Sequence, residues 1–437
     1  MNKFIQIVVL SILAAAFTVA AAFAGGQKES TTPKVATIRL WDIETQADRQ
    51  MITTATDKFN QEHPSIKVVP EWFQNNPYKD KIRIALGAGN PPDIFFNWGG
   101  GPLRSYVAAG DAVDLTPYLD ADQGWKARFP ASVWGPATVA GKIYAVPTQG
   151  MDAELMFYNK TIFNKYNLPV PASWSELMSD VKTLHDNGVI PIALEGKSEW
   201  PEMIFVQYLT DRIGGPAAFS AIAKGTPGAW SNPAVIQALQ RCQELVRAHA
   251  FEPGYSAVGF TTQQAPALVA GSKAAMYLQG DWVYGTFLTN YPSFVKQGDL
   301  GFAAFPAVST EHATQVVGAP CNYYSISSKS NYVKQAIEYL KDVNLNSFEV
   351  KTMVTKLGRI PPVVGVAPLL TQTKNGAFEV FLYDQISHAP EVQLYWDQYL
   401  SPTEAKQMLT NISEVFLLQE TPQQFAKNMN ATLGQQS

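Results

Sequence analysis

An alternation of strands and helices near the start of the chain constrains the fold most strongly. Three runs rich in β-branched and aromatic residues predict strands at Thr37–Trp41, Ile66–Val69 and Asp93–Phe96. Apolar residues three and four positions apart predict one helix over 48–62, and a second helix begins at Pro77. Strands and helices in this order are typical of a parallel sheet covered by helices, so we expect an α/β fold.

Ligands of such sheets bind at the carboxyl ends of the strands, and the residues there are aromatic, acidic or amide. Trp41, Asp42 and Glu44 follow the first strand, and Asn97 and Trp98 follow the third. Each of these side chains has a plainer alternative, since an aromatic residue can pack in the core and a carboxylate can cap a helix. We therefore treat them as candidates for ligand contact.

A second strand-to-helix switch lies in the middle of the chain. Leu155–Tyr158 is an apolar run that predicts a strand, and the apolar spacing becomes helical after Asn159. Ser173 and Glu176 have the spacing of a capping box, so another helix is expected to begin at Trp174. The chain thus resumes an α/β pattern after residue 150.

The residues of this switch resemble a segment of a known protein family. The family is that of bacterial extracellular solute-binding proteins, specifically the maltose-binding-protein-like sugar-binding components of ABC importers. The segments that carry the resemblance are Tyr158-Asn159-Lys160, Phe163, Pro171–Trp174, Glu176, Asp114–Tyr118, Gly141–Pro147 and Gly271–Trp282. Together they extend, with gaps, over nearly all of the chain after its first 24 residues.

The resemblance implies the type II periplasmic-binding-protein fold, in which two α/β lobes, each a sheet flanked by helices, are joined by a hinge. The length of 437 residues independently favours two domains. We expect residues 35–147 plus 304–345 in the first lobe, and residues 148–303 plus 346–437 in the second. A hinge of this kind permits closure around a ligand.

A sugar-binding site needs flat aromatic side chains against the ring faces and polar groups around the rim. The resemblance places a stacking aromatic at Trp282, an aromatic loop at Glu199-Trp200, and an aromatic pair at Tyr395-Trp396. The same residues could instead pack in the core. The candidate ligand-binding residues are Trp41, Asp42, Glu44, Asn97, Trp98, Asp152, Glu199, Trp200, Asp281, Trp282, Asn322, Arg359, Tyr395, Trp396 and Asp397.

The N-terminus predicts export. Residues 1–24 have the positive charge, apolar core and small residues of a signal peptide, with cleavage between Ala24 and Gly25; an uncleaved anchor is the alternative. Residues 25–34 are polar and small, and no lipoprotein cysteine follows the cleavage point. Loss of Lys3 changes the formal net charge from −4 to −5, which argues against nucleic acid as a partner. We expect a periplasmic protein whose two cysteines, Cys242 and Cys321, are free thiols.

The sequence thus predicts a monomeric periplasmic protein that captures a sugar, with an oligosaccharide preferred, and delivers it to ABC permease subunits. No cofactor, metal site or catalytic residue is expected, because HExxH, GxSxG, Walker and GxGxxG patterns are absent from the sequence. One alternative is the same fold with a non-sugar ligand such as a glycerophosphoryl compound. Another is a secreted carbohydrate-processing enzyme using Asp42 with Glu44, or Asp152 with Glu154.

Overall fold

A computed structural model describes residues 35–43, 46–374 and 376–432. The predicted signal peptide, its cleavage site, the segment 25–34 and the candidate Glu44 lie outside these residues. Within the described part of the chain, no helix has the length and apolar character needed to cross a membrane.

The first lobe is built on a five-stranded mixed sheet with the order β2-β1-β3-β12-β6. Both neighbours of β1 are parallel to it, as the strand–helix alternation predicts, and β12 runs antiparallel to β3 and β6. The strands are β1 (Ala36–Ile43), β2 (Ile66–Phe73), β3 (Ile94–Asn97), β6 (Val146–Thr148) and β12 (Asn322–Ile326), and a separate hairpin joins β4 (Thr138–Val139) to β5 (Lys142–Ile143).

The second lobe has a six-stranded sheet whose longest strand is β7. Its order is β13-β11-β7-β9-β8, and β10 also pairs with β7. Its strands are β7 (Asp152–Asn159), β8 (Ile190–Ala193), β9 (Ala274–Gly280), β10 (Leu300–Ala303), β11 (Val316–Ala319) and β13 (Val392–Leu394).

The chain passes between the sheets at 149–151 and again at 320–321. Strand β11 pairs with β7 at Ala319 and Asp152, so this strand belongs to the second sheet. The predicted boundary, which assigned 304–345 to the first lobe, differs from this pairing. The sequence analysis placed the return to the first lobe at residue 304, but the chain adds β10 and β11 to the second sheet before it returns at β12.

Helices of the first lobe cover a core formed largely by the apolar faces of its strands. The core includes Ile38, Leu40, Phe95 and Phe96, each fully buried. These helices are α1 (Gln46–Glu62), α2 (Asn75–Gly87), α3 (Gly100–Ala108), α4 (Thr116–Ala121), α5 (Gln123–Lys126), α6 (Trp134–Ala137), α15 (Val333–Asp342) and α16 (Ser347–Thr352), with a π-helical turn at Met353–Leu357.

The second sheet has an apolar core on each face. The capping box at Ser173 and Glu176 is present as predicted, and Cys242 and Cys321 are buried free thiols, also as predicted. The helices of this lobe are α7 (Lys160–Lys165), α8 (Trp174–Asp186), α9 (Trp200–Gly214), α10 (Pro216–Ala223), α11 (Pro233–Arg247), α12 (Gln264–Ala270), α13 (Trp282–Asn290), α14 (Pro292–Lys296), α17 (Ala367–Leu370), α18 (Gly376–His388), α19 (Trp396–Tyr399), α20 (Pro402–Phe416) and α21 (Pro422–Thr432).

Candidate functional site

A cavity lies between the two lobes, with side chains of both sheets and of the crossing segments around it. The space within its lining, open solvent included, is about 780 Å³. The lining residues are Ile43, Asn75, Lys79, Trp98, Gln149, Asp152, Trp200, Met203, Phe260, Thr261, Trp282, Asn322, Arg359, Tyr395, Asp397 and Gln398.

The crossing segments supply a polar part of the lining. Asn322 Nδ2 donates to Gln149 Oε1 at 3.0 Å and to Asp152 Oδ2 at 3.2 Å. Gln149 has a φ of 56°, a left-handed conformation that is uncommon for a residue other than glycine. Such conformations persist where the surroundings hold them in place, and they are frequent at ligand sites.

Arg359 connects the lobes through buried ion pairs. Its Nη1 lies 2.8 Å from Asp48 Oδ2 on α1 of the first lobe, and its Nη2 lies 2.7 Å from Asp152 Oδ1 at the start of β7. A third carboxylate, that of Asp281, lies 3.9 Å from Nε. Burial raises the pKa of Asp152 and of Asp281, and the nearby guanidinium opposes both shifts. The charge of Arg359 is therefore matched by carboxylates.

Aromatic side chains of the second lobe form another wall. The Trp282 ring lies 6.0 Å from that of Trp200 and 6.4 Å from that of Tyr395, in edge-to-face geometry. Gly280 makes room for the half-buried Trp282, because a Cβ at this position would lie 2.2 Å from the indole. Trp98 faces them from the first lobe. Flat apolar surfaces of this kind suit the faces of a sugar ring.

A charged pair joins the lobes within the cavity lining. Lys79 Nζ on α2 lies 2.8 Å from Asp397 Oδ2 on α19, and 5.0 Å from the centre of the Trp98 ring. Asp397 is largely buried, so the pair is partly shielded from water. The cation of Lys79 is thus already neutralised by a residue of the facing lobe.

Polar atoms without partners complete the lining. Among the described residues, seven buried atoms of cavity side chains have no hydrogen-bond partner, and buried polar groups are normally paired. Three are N–H donors, three are amide oxygens that accept, and one is a hydroxyl that can do either. They are Gln149 Nε2, Trp200 Nε1, Arg359 Nε, Asn75 Oδ1, Asn322 Oδ1, Gln398 Oε1 and the Tyr395 hydroxyl.

The structure brings eight of the fifteen predicted site residues to the cavity. Residue type does not distinguish them from the other candidates, since both sets contain Trp and Asp. The eight are Trp98, Asp152, Trp200, Trp282, Asn322, Arg359, Tyr395 and Asp397.

Three first-lobe candidates have structural partners instead. Trp41 is 5% exposed and packs against Phe73 at 4.9 Å. Asp42 is fully buried and accepts hydrogen bonds from the Tyr324 hydroxyl and the Ile43 amide. Asn97 donates to Ser325 and accepts from the amide of Gly99. Their predicted contact with a ligand does not fit these positions, because β1 and β3 turn these side chains inward.

Three second-lobe candidates also lie outside the lining. Trp396 is fully buried, with its ring stacked 5.0 Å from that of Phe219. Asp281 is fully buried and accepts from the Ala153 amide at 3.1 Å. Glu199 is half-buried at the N-cap of α9 with a φ of 63°, and burial raises its pKa. Direct ligand contact, as predicted for these residues, does not fit their positions.

Eight lining residues were not predicted from the sequence. Asn75 and Lys79 follow β2, the strand end that the sequence argument did not use, so the same rule of strand ends would have found them. Gln149 directly follows β6. Ile43 is the last residue of β1. The others lie in helical segments without a distinguishing pattern: Met203, Phe260, Thr261 and Gln398.

A possible set of metal ligands lies outside the cavity lining. His63, Glu338 and Asp342 place ligand atoms within 4.8 Å of one another, and His63 Nε2 lies 3.5 Å from Glu338 Oε1. The two carboxylates are exposed. Exposed acidic groups often lie this close without an ion, and we assign no metal to them.

Several buried carboxyl groups have raised pKa values. Burial raises the pKa of Glu195 and Glu202 to about 8 and that of Glu252 to about 7 in the second lobe. In the first lobe burial raises the pKa of Asp42 to about 7 and that of Glu349 to about 8. These groups are therefore protonated in the folded protein over a pH range where the unfolded chain is ionised.

We expect the free energy of unfolding to fall as the pH rises from 5.5 to 9. A carboxyl whose pKa is higher in the folded state contributes stability below the unfolded pKa of about 4, and loses it as the pH passes the folded value. Urea denaturation at pH 5.5, 7.0 and 8.5 measures this. The Glu195→Gln variant, whose amide mimics the protonated acid, should show a smaller decline. A flat profile for the native sequence would contradict the assignment.

Comparisons with known proteins agree with this architecture. Residues 42–341 match the bacterial extracellular solute-binding protein family. An uncharacterized ABC transporter extracellular-binding protein of Pyrococcus horikoshii is 27% identical over 287 residues, 62% of this chain and 62% of the relative. Glucose-binding protein GlcS of Saccharolobus solfataricus is 28% identical over 269 residues, 57% of this chain and 45% of GlcS. The chain spans less than two thirds of the length of these two relatives.

Solved structures show the fold over a larger share of the chain. One solved structure comes from a study of xylan utilization by the thermophilic bacterium Caldanaerobius polysaccharolyticus. It superposes with a TM-score of 0.83 at 29% sequence identity, and the match covers 91% of this chain and 100% of that protein's chain. A chitin oligosaccharide binding protein has a TM-score of 0.83 and 22% identity, and covers 92% and 99%. The predicted two-lobed α/β fold is confirmed. Since the family match extends over more than half of the sequence, this chain belongs to the bacterial extracellular solute-binding proteins.

Proposed function

We propose that the protein binds an uncharged sugar in the cavity between its lobes and delivers it to the permease of an ABC importer. The observation that carries this proposal is that the charged and the neutral polar groups of the lining differ in whether they are already paired. Its charged side chains form ion pairs with carboxylates or with Lys79, whereas six of its seven unpartnered atoms belong to uncharged groups: four amides, an indole and a phenol. The site therefore offers hydrogen bonds without a free charge.

Sugar hydroxyls match this set of atoms. A hydroxyl both donates and accepts, so one ring can pair with the donors Gln149 Nε2 and Trp200 Nε1 and with the acceptor Asn322 Oδ1. Each such pair removes the cost of a buried, unpaired polar group. The faces of the same ring can lie against Trp282 or Trp98. A sugar thus satisfies the polar atoms and covers the aromatic surfaces together.

A glycerophosphoryl ligand fits less well. Phosphate is bound by cationic side chains that are free to donate, and Arg in a bidentate geometry is the usual choice. In this cavity Arg359 is bonded to two carboxylates and Lys79 to a third. A phosphate that took over these cations would leave the buried carboxylates unpaired beside its own negative charge. We therefore favour a neutral ligand.

Binding is also favoured over catalysis. A glycosidase needs two carboxyl groups that flank the substrate, one of them able to donate a proton. Of the pairs considered, Asp152 is held by Arg359, and Glu154 is fully buried outside the cavity lining. Asp42 is fully buried and hydrogen-bonded to Tyr324. These positions leave the acids without the access that hydrolysis requires.

The names of relatives indicate which sugars to test. They include a glucose-binding protein, a xylose/arabinose-binding protein of Haloferax volcanii and a multiple sugar-binding protein of Streptococcus mutans. We also propose that the protein is exported through the predicted signal peptide, that it is a monomer and that it does not convert the sugar chemically. The sugar itself is left to experiment.

A thermal-shift screen tests the proposal. A neutral sugar at 100 times its dissociation constant should add about 2.7 kcal/mol to the free energy of unfolding. The panel comprises D-glucose, D-xylose, L-arabinose, xylobiose and chitobiose, with glycerol 3-phosphate and D-glucuronate as charged counterparts. We expect at least one neutral sugar to raise the melting temperature. A shift produced only by the charged compounds would contradict the proposal, as would sugar cleavage during the incubation.

A further inference from the structure

Two glycines of a three-glycine run lie against the backbone of the facing lobe. The run, Gly99 to Gly101, precedes and opens helix α3 of the first lobe. Gly100 and Gly101 lie against residues 398–400 of the second lobe, whereas Gly99 lies against Pro136 and Tyr323 of its own lobe. A Cβ on Gly101 would lie 1.8 Å from the Leu400 carbonyl oxygen, and a Cβ on Gly100 would lie 2.3 Å from that of Gln398. Only glycine permits this approach of the two backbones.

The two sides of the contact are complementary in chemistry as well as in shape. The carbonyls belong to the end of helix α19, where the last carbonyl groups of a helix lack partners within it. They face the start of α3, where the amide groups give a partial positive charge. Arg104, one turn into α3, donates from Nη2 to the Tyr399 carbonyl at 2.5 Å, and its guanidinium lies 5.2 Å from the centre of the Tyr399 ring.

The contact is coupled to the cavity on both sides. Trp98 lies one residue before the glycine run, and Gln398 is itself part of the contact; both line the cavity. The glycine run and residues 398–400 belong to different lobes, so the contact forms only when the lobes approach each other. Any separation of the lobes removes it.

We infer that Gly100, Gly101 and Arg104 form a latch that holds the lobes closed over the ligand. These are positioning residues, because they act on the dissociation of the ligand through lobe closure and lie outside the cavity lining. The inference rests on the proposed function, since it concerns capture at the same site. Its consequence is that a methyl group at Gly101 should keep the cavity from closing without touching the ligand.

Gly101→Ala is the direct test. Gly101 does not have a positive φ, and alanine is favoured over glycine within a helix, so the separated first lobe should tolerate the change. The three atoms nearest to the added Cβ all belong to Tyr399 and Leu400. The matched control is Gly135→Ala in α6 of the same lobe, where an added Cβ meets no atom within 4 Å. Arg104→Leu is a second variant that removes the bond to the Tyr399 carbonyl without adding a clash.

Closure can be measured without a ligand. Lys79→Cys with Asp397→Cys places one thiol on each lobe, and a short bismaleimide joins them when the lobes meet; the native Cys242 and Cys321 are buried. In this background we expect Gly101→Ala to slow cross-linking at least about tenfold, the size of effect that an overpacked contact produces. Gly135→Ala should leave the rate unchanged, and Arg104→Leu should slow it less than Gly101→Ala.

The same substitutions in the native sequence are then tested with D-glucose, D-xylose and xylobiose. For a sugar that raises the melting temperature of the wild-type protein, Gly101→Ala should raise the dissociation constant at least about tenfold, mainly through faster dissociation. Equal cross-linking rates in Gly101→Ala and Gly135→Ala would overturn the latch. If these sugars bind no variant while cross-linking still slows in Gly101→Ala, the latch stands and the proposed sugar function fails.

Discussion

Replacement of Arg359 with leucine is expected to lower the free energy of unfolding by about 3–5 kcal/mol, the cost of breaking a buried ion pair from one side. The substitution leaves Asp48 and Asp152 without the cation that now lies 2.8 and 2.7 Å away, and Asp281 without the one at 3.9 Å. All three carboxyl groups are buried. Urea denaturation at pH 8 measures the loss directly.

The expected loss depends on pH and has a matched control. Protonation neutralises the carboxyl groups, and burial already raises the pKa of Asp152 and Asp281, so the variant should recover part of its stability at pH 5. Arg83→Leu removes an exposed ion pair to Asp80 and should cost less than about 1 kcal/mol. Similar losses for the two variants, or a larger loss at pH 5 than at pH 8, would show that Arg359 does not neutralise this cluster.

Replacement of Trp282 with alanine is expected to weaken sugar binding about tenfold or more. Loss of roughly 60 Å² of apolar contact corresponds to about 1.5 kcal/mol, and 1.4 kcal/mol is a factor of ten in the dissociation constant. The indole lies over Gly280, which has no side chain to replace its surface. Titration of intrinsic fluorescence with the sugar found by thermal shift gives the constant.

Two variants separate stacking from general damage. Trp282→Phe keeps a flat ring and should retain most of the affinity. Trp134→Ala removes a half-buried indole of the first lobe that packs against Phe129 and lies outside the cavity lining. We expect it to lower stability without changing the dissociation constant. If Trp134→Ala weakened binding as much as Trp282→Ala, the assignment of Trp282 to the ligand surface would be wrong.

The local pattern of the sequence was sufficient for the elements and for part of the site. Alternating strands and helices gave the parallel arrangement of β1 with β2 and β3, because periodicity follows from which face of an element is buried. The position of Trp282 just after β9 followed from the resemblance and agrees with the cavity. The capping box at Ser173 depended only on residues within one turn.

Contacts between distant segments were decided by the tertiary structure. Tyr395 and Trp396 are adjacent and chemically alike, yet one lines the cavity and the other stacks on Phe219, because α19 turns them to opposite sides. Asp48 and Arg359 are 311 positions apart, and their pairing requires the hinge to be assembled. The local preferences of single residues for helix or strand do not predict such a pairing.

By itself, the sequence determined the α/β class, the positions of several helices and strands and the family, since these depend on patterns carried by neighbouring residues. The tertiary structure alone decided which carboxylates are neutralised, which amides remain unpaired and why Gly100 and Gly101 must be glycine. The physical reason is that burial and charge pairing are properties of the space between lobes, where residues from α1, α3, β7 and α19 meet only after the chain has folded.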